Sequence, residues 1–407
     1  MKGTKRLLVI TYYWPPCGGP GALRPVKFAK YLPQFGVEPV VLTRKMIAYH
    51  SRDEQLEHDI KHVKVIATES LDPARMLYLL GMRQYHPRPW QKPIKQAMNF
   101  PDNKLAWLPF SYCAGIHRTY DSIFVTAPPF SAFLTGYYLA RRTGKPLVLD
   151  FRDAWLEFPF LPYTGRAQKA FATQWEKKVI NAASCIVTVD DNIKQALVHR
   201  YPNAAQKISV IPNGYDPDDF VPENKASTFT LTHLGTVREE RNPEPALRAV
   251  QCLIASNRMR SDDVQVQFIG YVEQPYERII KRYPFTAITG YLSHRHALRL
   301  FSAGHVGLLI TTGSKYFFPS RQNEYLASGL PILVCGTSKG CHLIEDAFKK
   351  GYPGWVYDYD DIKGMQTKIL TLYEDFKNNR LQKGETPYKE FTRKNLTGKL
   401  AELIHNL

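Results

Sequence analysis

The sequence predicts an α/β protein with two doubly wound, Rossmann-like domains in series. Short runs of β-branched and other apolar residues alternate with segments of helical periodicity along the whole chain. Such alternation is typical of parallel sheets that carry helices on both faces. The length of 407 residues suits two domains of roughly 200 residues each. The alternation pauses once, at the turn-rich segment 212–222, which we interpret as the interdomain connection.

The predicted domains cover residues 1–217 and 218–387, and a terminal helix from about residue 388 to 405 is assigned to a last segment, 388–407. Residues 22–35, which follow the first strand and a glycine-rich turn, place Leu23, Val26 and Leu32 at helical spacing. The predicted strands of the first domain are 7–13, 38–43, 62–67, 122–126, 146–149, 185–189 and 208–211. Those of the second domain are 228–234, 264–269, 286–290, 306–310, 331–335 and 354–357.

Positive charge is concentrated in the first half of the chain. Residues 1–200 carry 28 Lys/Arg against 15 Asp/Glu, whereas residues 201–407 carry 26 against 22. An excess of this kind favours an anionic partner such as a phospholipid surface, a lipid-linked phosphate or nucleic acid. A basic surface that serves no specific partner is the alternative.

Composition and spacing exclude several classes of site. The six cysteines form no CxxC pair, so we expect reduced thiols. His294 and His296 form an HxH that we expect to be a solvated pair, since no third metal ligand lies nearby in the sequence. The apolar run 7–10 is too short for a signal peptide, and no window reaches the ~20 apolar residues of a spanning helix. We therefore expect a cytoplasmic protein, with membrane contact only at the periphery.

A glycine-rich loop follows the first strand and contains Gly18 and Gly19. Glycines between a strand and a helix let the backbone approach a ligand, and the helix behind them offers free N–H groups. The loop lacks the GxGxxG pattern of NAD-binding proteins, so a phosphate or an acceptor hydroxyl is the better ligand. A tight turn without a ligand is the structural alternative.

Charged residues also follow the fifth strand, in the segment that contains Arg152, Asp153 and Trp155. The carboxyl end of a buried parallel strand is where α/β folds place their ligands. We therefore place Asp153 near a reacting group and an acceptor, with Arg152 and Trp155 beside it. The alternative is a structural ion pair between Arg152 and Asp153.

Two arginines follow the first strand of the second domain. Arg238 and Arg241 lie in a loop that begins at Gly235 and opens a helix. Guanidinium groups bind phosphate oxygens in bidentate fashion, so the pair suits a diphosphate. A solvated loop is the alternative.

The segment 319–331 predicts a helix that begins at Pro319 and Ser320 and ends before Gly329. Glu324 falls in its first turn, where the carboxylate can accept two hydroxyl hydrogen bonds from a ribose while free amides ahead of it meet phosphate. A glutamate that only complements the helix dipole is the alternative.

Taken together, these segments resemble glycosyltransferase family 4, whose members have the GT-B fold. The resemblance covers essentially the whole chain and is carried by four segments: 14–24, 150–155, 210–216 and 319–331. It implies a retaining transfer from a UDP-, GDP- or similar sugar without a metal ion or other cofactor. It also implies a donor held mainly by the second domain, an acceptor on the first, and a last helix that crosses back to the first domain.

The resemblance implies individual roles as well. Glu324 matches the glutamate that holds the ribose, Gly18 and Gly19 match a loop that faces the donor phosphates, and Arg241 and Arg321 match basic positions near the phosphates. Together with Ser320 and Arg238 they form the predicted donor site, and Asp153, Arg241 and Arg321 are the predicted catalytic residues. Three positions depart from the family pattern: Tyr316 replaces a second glutamate, Thr236 replaces a basic residue, and Arg152-Asp153 replaces His-Asp.

The predicted function is therefore sugar transfer to a saccharide or lipid-linked saccharide, with a role in cell-surface polysaccharide assembly, at an anionic membrane surface and without nucleic acid as a partner. Two alternatives stay open: a UDP-sugar 2-epimerase-like enzyme on the same fold, and a non-catalytic scaffold that binds a nucleotide sugar. Basic and aromatic residues of the first half fit the membrane: Tyr78, Tyr85, Trp90, Lys92, Lys95, Phe100, Lys104, Trp107, Phe110 and Tyr112.

Overall fold

The structure is a computed structural model that describes residues 4–49, 51–84, 100–157, 163, 165–221, 223–238, 241–311, 321–337 and 342–407. Contacts between residues divide the chain into two compact units. The first comprises Met1–Asn213 together with Arg393–Leu407, and the second comprises Gly214–Thr392. The boundary between the units falls inside the turn-rich segment 212–222.

The first unit contains a parallel sheet of seven strands in the order β3-β2-β1-β4-β5-β6-β7 among the described residues. All six side chains of the β4 strand are buried, as expected for a strand covered on both faces. The strand order reverses between β1 and β4, where α/β sheets place their ligands. The strands are β1 Lys5–Ile10, β2 Val37–Arg44, β3 Lys64–Thr68, β4 Ser122–Ala127, β5 Leu147–Phe151, β6 Cys185–Thr188 and β7 Ile208–Val210.

The α-helices described in the first unit are α1 Pro20–Tyr31, α2 Pro73–Leu79, α3 Leu108–Ile116, α4 Ser131–Thr143, α5 Arg166–Ala182, α6 Asp191–Arg200 and the terminal α13 Arg393–His405. Glycine lets helix α4 lie directly on the sheet. A Cβ atom at Gly136 would come within 2.4 Å of the Val125 side chain. The terminal helix packs against α1, so the last residues of the chain belong to the first unit.

The second unit contains a parallel sheet of six strands in the order β10-β9-β8-β11-β12-β13 within its described part. Neighbouring residues of one strand enter different core clusters, as Leu308 and Leu309 do, so both faces of the sheet are covered. The order reverses between β8 and β11. The strands are β8 Phe229–Leu234, β9 Val264–Ile269, β10 Thr286–Gly290, β11 Val306–Ile310, β12 Ile332–Cys335 and β13 Gly354–Tyr357.

The described α-helices of the second unit are α7 Glu244–Ala255, α8 Gln274–Ile280, α9 His294–Ala303, α10 Gln322–Ala327, α11 His342–Lys349 and α12 Ile362–Lys377. None of the helices in the described part of the chain is both long and apolar enough to cross a membrane.

These elements confirm the predicted α/β class and every predicted strand, although the boundaries differ. The first helix changes to a 3₁₀ turn at Leu32–Phe35, because Pro33 has no N–H to continue α-helical hydrogen bonding. The last helix begins at Arg393 and not near residue 388, after a 3₁₀ turn at Lys389–Phe391. Helix α10 begins at Gln322, so Arg321, and not Ser320, precedes its first residue.

A buried ion pair connects four segments of the first unit. Arg24 of helix α1 donates to both carboxylate oxygens of Asp150 in β5, at 2.9–3.2 Å, and both side chains are almost completely buried. Thr126 of β4 donates to the same carboxylate at 2.7 Å. The remaining guanidinium N–H groups donate to the carbonyl oxygens of Ile211 and Pro212 at 2.9 and 3.0 Å. The pair thereby holds α1, β4, β5 and the segment after β7 in one hydrogen-bonded network.

This network predicts a specific pattern of stability. We expect Arg24→Met to lower the free energy of unfolding by about 3–5 kcal/mol, because it leaves the Asp150 carboxylate buried without its cation. In that background Asp150→Asn should restore on the order of 1 kcal/mol, since it removes the unpaired charge. Urea denaturation of both variants measures the difference. A double variant that is no more stable than Arg24→Met alone would contradict this account.

Candidate functional site

At the strand-order reversal of the second unit, side chains replace the sheet's own hydrogen bonds. The described pairing of β8 with β11 ends at Thr232 and Gly307. Beyond that point the hydroxyl of Tyr325 accepts from the N–H of Leu234 at 2.8 Å and donates to the carbonyl of Leu308 at 2.9 Å. Tyr325 thus holds the ends of the two strands apart and fixes helix α10 to both of them.

His233 lies beside this opening and is almost fully buried. Its Nδ1 is 3.0 Å from the Leu308 carbonyl, which only accepts, so Nδ1 carries the ring proton. Burial, together with the charges of Arg241 and Arg321, lowers the pKa of His233 to about 3. Its Nε2 is therefore a fixed hydrogen-bond acceptor, and within the described residues it has no partner.

The sequence analysis did not select His233. The available signal was a histidine inside a fully buried strand, two positions before a glycine. The Nε2 atom would lie 3.7 Å from a Cβ atom at Gly235, so it faces the beginning of the loop that follows the strand.

The backbone of that loop requires glycine, and the loop folds so that Arg241 contacts the first residues of the loop. Gly235 has φ of +142°, and a Cβ atom at Gly270 would lie 2.3 Å from the Gly235 carbonyl oxygen. Arg241 donates from Nη1 to the carbonyl of Thr236 at 2.9 Å. Its positive charge therefore lies at the position where the family resemblance implies a basic residue and this chain has threonine. Arg238 lies half-buried in the same loop.

Glu324 supplies a buried carboxylate to this end of the sheet. It is 2% exposed, and its Oε1 lies 4.0 Å from Nη1 of Arg321. Its Oε2 is buried and has no hydrogen-bond partner in the part of the chain that the structure describes. Because a buried carboxylate oxygen is costly without a donor, this atom is suited to accept hydroxyl groups of a ligand. Ser320 and Tyr316 lie outside the described residues.

Arg321 is held by a histidine that we expected to be solvated. That expectation is wrong for His294, which is 8% exposed, whereas His296 is exposed. Nη1 of Arg321 lies 3.4 Å from Nδ1 of His294, and Nε2 of His294 lies 3.2 Å from the Asp219 carboxylate. Since arginine only donates, Nδ1 accepts and Nε2 carries the proton towards Asp219. His294 and Asp219 therefore orient Arg321.

Arg241 and Arg321 both act on buried side chains at the reversal between β8 and β11. Burial raises the pKa of Tyr325, and the charges of Arg321 and Arg241 oppose this effect. The same two charges help to lower the pKa of His233. Two guanidinium groups and the Glu324 carboxylate thus surround the reversal between β8 and β11. Chemically, the guanidiniums can neutralise a diphosphate, and the carboxylate can bind a diol.

The glycine-rich loop of the first unit is a strained turn that begins helix α1. Gly19 has φ of +86° and directly precedes the first helical residue. The N–H of Gly18 donates to the carbonyl of Ser51 at 3.0 Å, so this amide serves the loop itself. The predicted phosphate contact of Gly18 and Gly19 stays a prediction.

Arg152 and Trp155 are positioned differently from the predicted acceptor contacts. The Arg152 guanidinium donates to the carbonyl oxygens of Gly21, Ala127 and Pro128, and so ties the loops after β1 and β4 together. Trp155 is completely buried and stacks on Phe130 with ring centroids 5.0 Å apart. Burial of this ring contradicts a direct acceptor contact and makes it a support for the loops. Asp153 lies half-buried between these two residues in the sequence, and its role at the acceptor stays a prediction.

The acidic segment 216–218 forms a turn. The Asp216 carboxylate accepts from the backbone N–H of Asp218 at 3.2 Å and begins a 3₁₀ turn. The predicted membrane residues divide: Trp107 is buried and donates to Thr68, whereas Phe100 is 37% exposed. The side chains of Tyr85, Trp90, Lys92 and Lys95 lie outside the described residues.

Known proteins resemble this chain in sequence and in fold. The family model described as Glycosyltransferase Family 4 matches residues 26–219. Spore coat protein SA of Bacillus subtilis is 24% identical over 228 residues, which cover 47% of this chain and 56% of the relative. The chain thus matches little more than half the length of that curated relative.

Solved structures with the same fold cover nearly the whole chain. Alr3699/HepE from Anabaena, in complex with UDP-glucose, has a TM-score of 0.63 at 14% identity over 99% of this chain and 100% of its own. A glycosyltransferase from Rickettsia africae has a TM-score of 0.62 at 13% identity, covering 99% and 98%. A putative UDP-N-acetylglucosamine 2-epimerase from Listeria monocytogenes has a TM-score of 0.57 at 12% identity, covering 99% and 96%. The chain therefore has the GT-B fold, and the match to the Glycosyltransferase Family 4 model lies on residues 26–219, mostly within the first unit.

Proposed function

We propose that this protein is a retaining, metal-independent glycosyltransferase of the hexosyltransferase type. It would move a sugar from a UDP- or GDP-type donor to a saccharide or lipid-linked saccharide in cell-surface polysaccharide biosynthesis. The observation that carries the proposal is the buried Oε2 of Glu324, which has no partner among the described residues, on a carboxylate whose Oε1 lies 4.0 Å from the Arg321 guanidinium. The charge of Arg241 acts on the neighbouring Tyr325 and His233. A carboxylate next to two cations suits a ligand that joins a diol to a diphosphate, as a nucleotide sugar does.

In this proposal the second unit binds the donor. Glu324 accepts hydrogen bonds from the two ribose hydroxyls, and Arg241 and Arg321 bind the diphosphate. Positive charge placed in advance stabilises the departing nucleoside diphosphate as the sugar–phosphate bond breaks. Arg321 is held for this task by His294 and Asp219. These cations supply the charge that a metal ion would otherwise provide.

His233 offers a further contact within the same site. Its neutral Nε2 can only accept, so it suits a donor hydroxyl and not a phosphate oxygen. On the acceptor side, Asp153 follows the carboxyl end of β5. We assign it to the reacting acceptor, with retention achieved by attack from the leaving-group face, so that no protein nucleophile is needed.

Membrane association is part of the proposal. The exposed fractions of Leu79 and Leu80, at the end of helix α2, are 57% and 77%, and Met76 on the same helix is 41% exposed. An apolar helix end within the basic half of the chain suits peripheral binding to an anionic bilayer. The protein would therefore act in the cytoplasm at the inner face of the membrane.

A 2-epimerase activity is the second candidate, because the putative UDP-N-acetylglucosamine 2-epimerase from Listeria monocytogenes shares the fold. An epimerase would convert the nucleotide sugar without any acceptor. A non-catalytic scaffold would bind the nucleotide sugar and leave it unchanged.

The ribose contact predicts a loss of nucleotide affinity in Glu324→Ala. Isothermal titration calorimetry with UDP and GDP should show binding to the unaltered protein and a Kd about 10- to 100-fold higher in the variant, because hydrogen bonds to a charged acceptor are lost. Glu374→Ala, at an exposed position of the same unit, serves as the control and should bind normally. Equal affinity in Glu324→Ala would remove the basis of the donor site.

The phosphate contacts predict slower turnover. Arg241→Ala and Arg321→Ala should each lower kcat about 10²- to 10³-fold in a coupled assay of nucleoside diphosphate release. Arg278→Ala, an exposed arginine of the same unit, should retain full activity. Near-normal turnover of both site variants would rule out this assignment. Product formed from the donor alone would favour the epimerase, and binding without turnover would favour the scaffold.

The exposed apolar helix end predicts reduced vesicle binding. We expect the double variant Leu79→Glu/Leu80→Glu to release the protein from phosphatidylglycerol-containing vesicles in a flotation assay, since it removes apolar contact and adds negative charge. Val356→Glu, at another exposed apolar position, should leave binding unchanged. If the unaltered protein does not bind anionic vesicles, the membrane proposal fails.

A further inference from the structure

A pocket of about 400 Å³ opens at the carboxyl ends of β1, β2 and β3 in the first unit. Apolar side chains, among them Trp14, Val65 and Ala67, form much of its wall. Three cations, Arg44, Lys45 and Arg75, also line it. Glu324, Arg241 and Arg321, the side chains proposed to hold the donor, all lie in the second unit.

The cations of this pocket exceed the nearby carboxylates. Lys45 and Arg75 share the single carboxylate of Glu69, at 2.5 and 2.9 Å. Arg44 enters none of the ion pairs found among the described residues. Its Nη1 and Nη2 donate to the carbonyl oxygens of Lys45 and Trp14, at 3.3 and 3.1 Å, and the guanidinium also contacts the Cys17 thiol.

Arg44 is the unusual member of this group. It is 3% exposed, and its Nε is buried with no hydrogen-bond partner in the described part of the chain. A buried guanidinium is costly unless an anion compensates it. Carbonyl oxygens and the rings of Tyr12 and Tyr49, whose centroids lie 5.7 and 5.3 Å from the guanidinium carbon, offset this cost only in part, because none of them is an anion.

The surroundings of the pocket are apolar. Val65 is 42% exposed and Met76 of helix α2 is 41% exposed, close to the still more exposed Leu79 and Leu80. A ligand that places an anionic group on Arg44 would therefore have apolar surface beside it for an attached chain.

We propose that this pocket binds an anionic amphiphile, with a phosphate group on Arg44 and an apolar chain along Trp14 and Val65. The inference rests on the proposed function in one respect: the amphiphile would be the lipid-linked acceptor of the sugar transfer. Binding itself needs no turnover. The phosphate could come from a lipid or from free phosphate in solution, and the experiment separates these sources.

Calorimetry with hexyl phosphate, inorganic phosphate and hexanol tests the proposal on the full chain. Hexyl phosphate should bind at least 10-fold more tightly than either of the other two ligands, because only it satisfies both the cation and the apolar wall. Equal binding of inorganic phosphate would mean a phosphate site only and would overturn the amphiphile. Equal binding of hexanol would overturn the anionic contact.

A matched pair of variants at an exposed position of the wall locates the binding. Ala67→Glu should weaken hexyl phosphate binding at least 10-fold relative to Ala67→Gln, which has the same shape without the charge. Arg44→Met should weaken it by about 10- to 100-fold, with thermal unfolding used to verify that the variant folds. If the two Ala67 variants bind equally well, the pocket is not the site.

The Arg241→Ala variant distinguishes this inference from the proposed function. Hexyl phosphate should bind this variant as tightly as the unaltered protein, since the pocket lies in the other unit. Loss of hexyl phosphate binding in Arg241→Ala would place the ligand at the nucleotide site and overturn the inference. Absence of UDP binding together with normal hexyl phosphate binding would reject the donor site alone.

Discussion

The ion pair between Arg24 and Asp150 is the interaction on which the first unit depends. Two opposite charges can remain in a water-free interior only when their hydrogen bonds are satisfied, and here Thr126, Ile211 and Pro212 complete the set. The groups come from a helix, two strands and the segment that ends the unit. Helix α1 can therefore occupy only one position, which also fixes the glycine-rich loop in front of it.

In the second unit, neutral side chains fix the ends of two strands and a helix relative to one another. Tyr325 joins the backbone of β8 to the backbone of β11, and His233 donates to the same carbonyl from the other strand. The opening between the strands is thus held by side chains whose pKa values keep them neutral near physiological pH. The charges that remain, those of Arg241, Arg321 and Glu324, belong to the ligand-facing surface. This division explains how a buried network and a strongly charged site exist side by side.

Arginines of the first unit differ in how their charge is compensated. The charge of Arg24 is balanced by a carboxylate, and the Arg152 guanidinium donates to three carbonyl oxygens, so both act as structural connections. Arg44 has no carboxylate partner among the described residues, and carbonyl oxygens accept from only two of its three nitrogen atoms. The degree of compensation, and not the presence of an arginine at the end of a strand, separates a structural residue from a candidate ligand contact.

The sequence by itself determined the elements and their order. Apolar periodicity predicted all thirteen strands that the structure describes, because period records which face of an element is buried. Glycines marked the loops that need positive φ. Glu324 was identified from its place in the first turn of a predicted helix and from the family resemblance. Element ends were displaced where proline or a 3₁₀ turn changed the hydrogen bonding.

Only the tertiary structure decided which polar atoms meet. His294 contacts Arg321 across 27 positions of sequence, and Arg44 contacts Trp14 across 30, so neither pair has a local pattern. Trp155 and His233 were misjudged or overlooked for the same reason: burial of a single side chain depends on the elements that pack over it. Periodicity is a property of one element, whereas hydrogen-bond compensation is a property of several elements brought together, and the chemistry of this protein lies in the second.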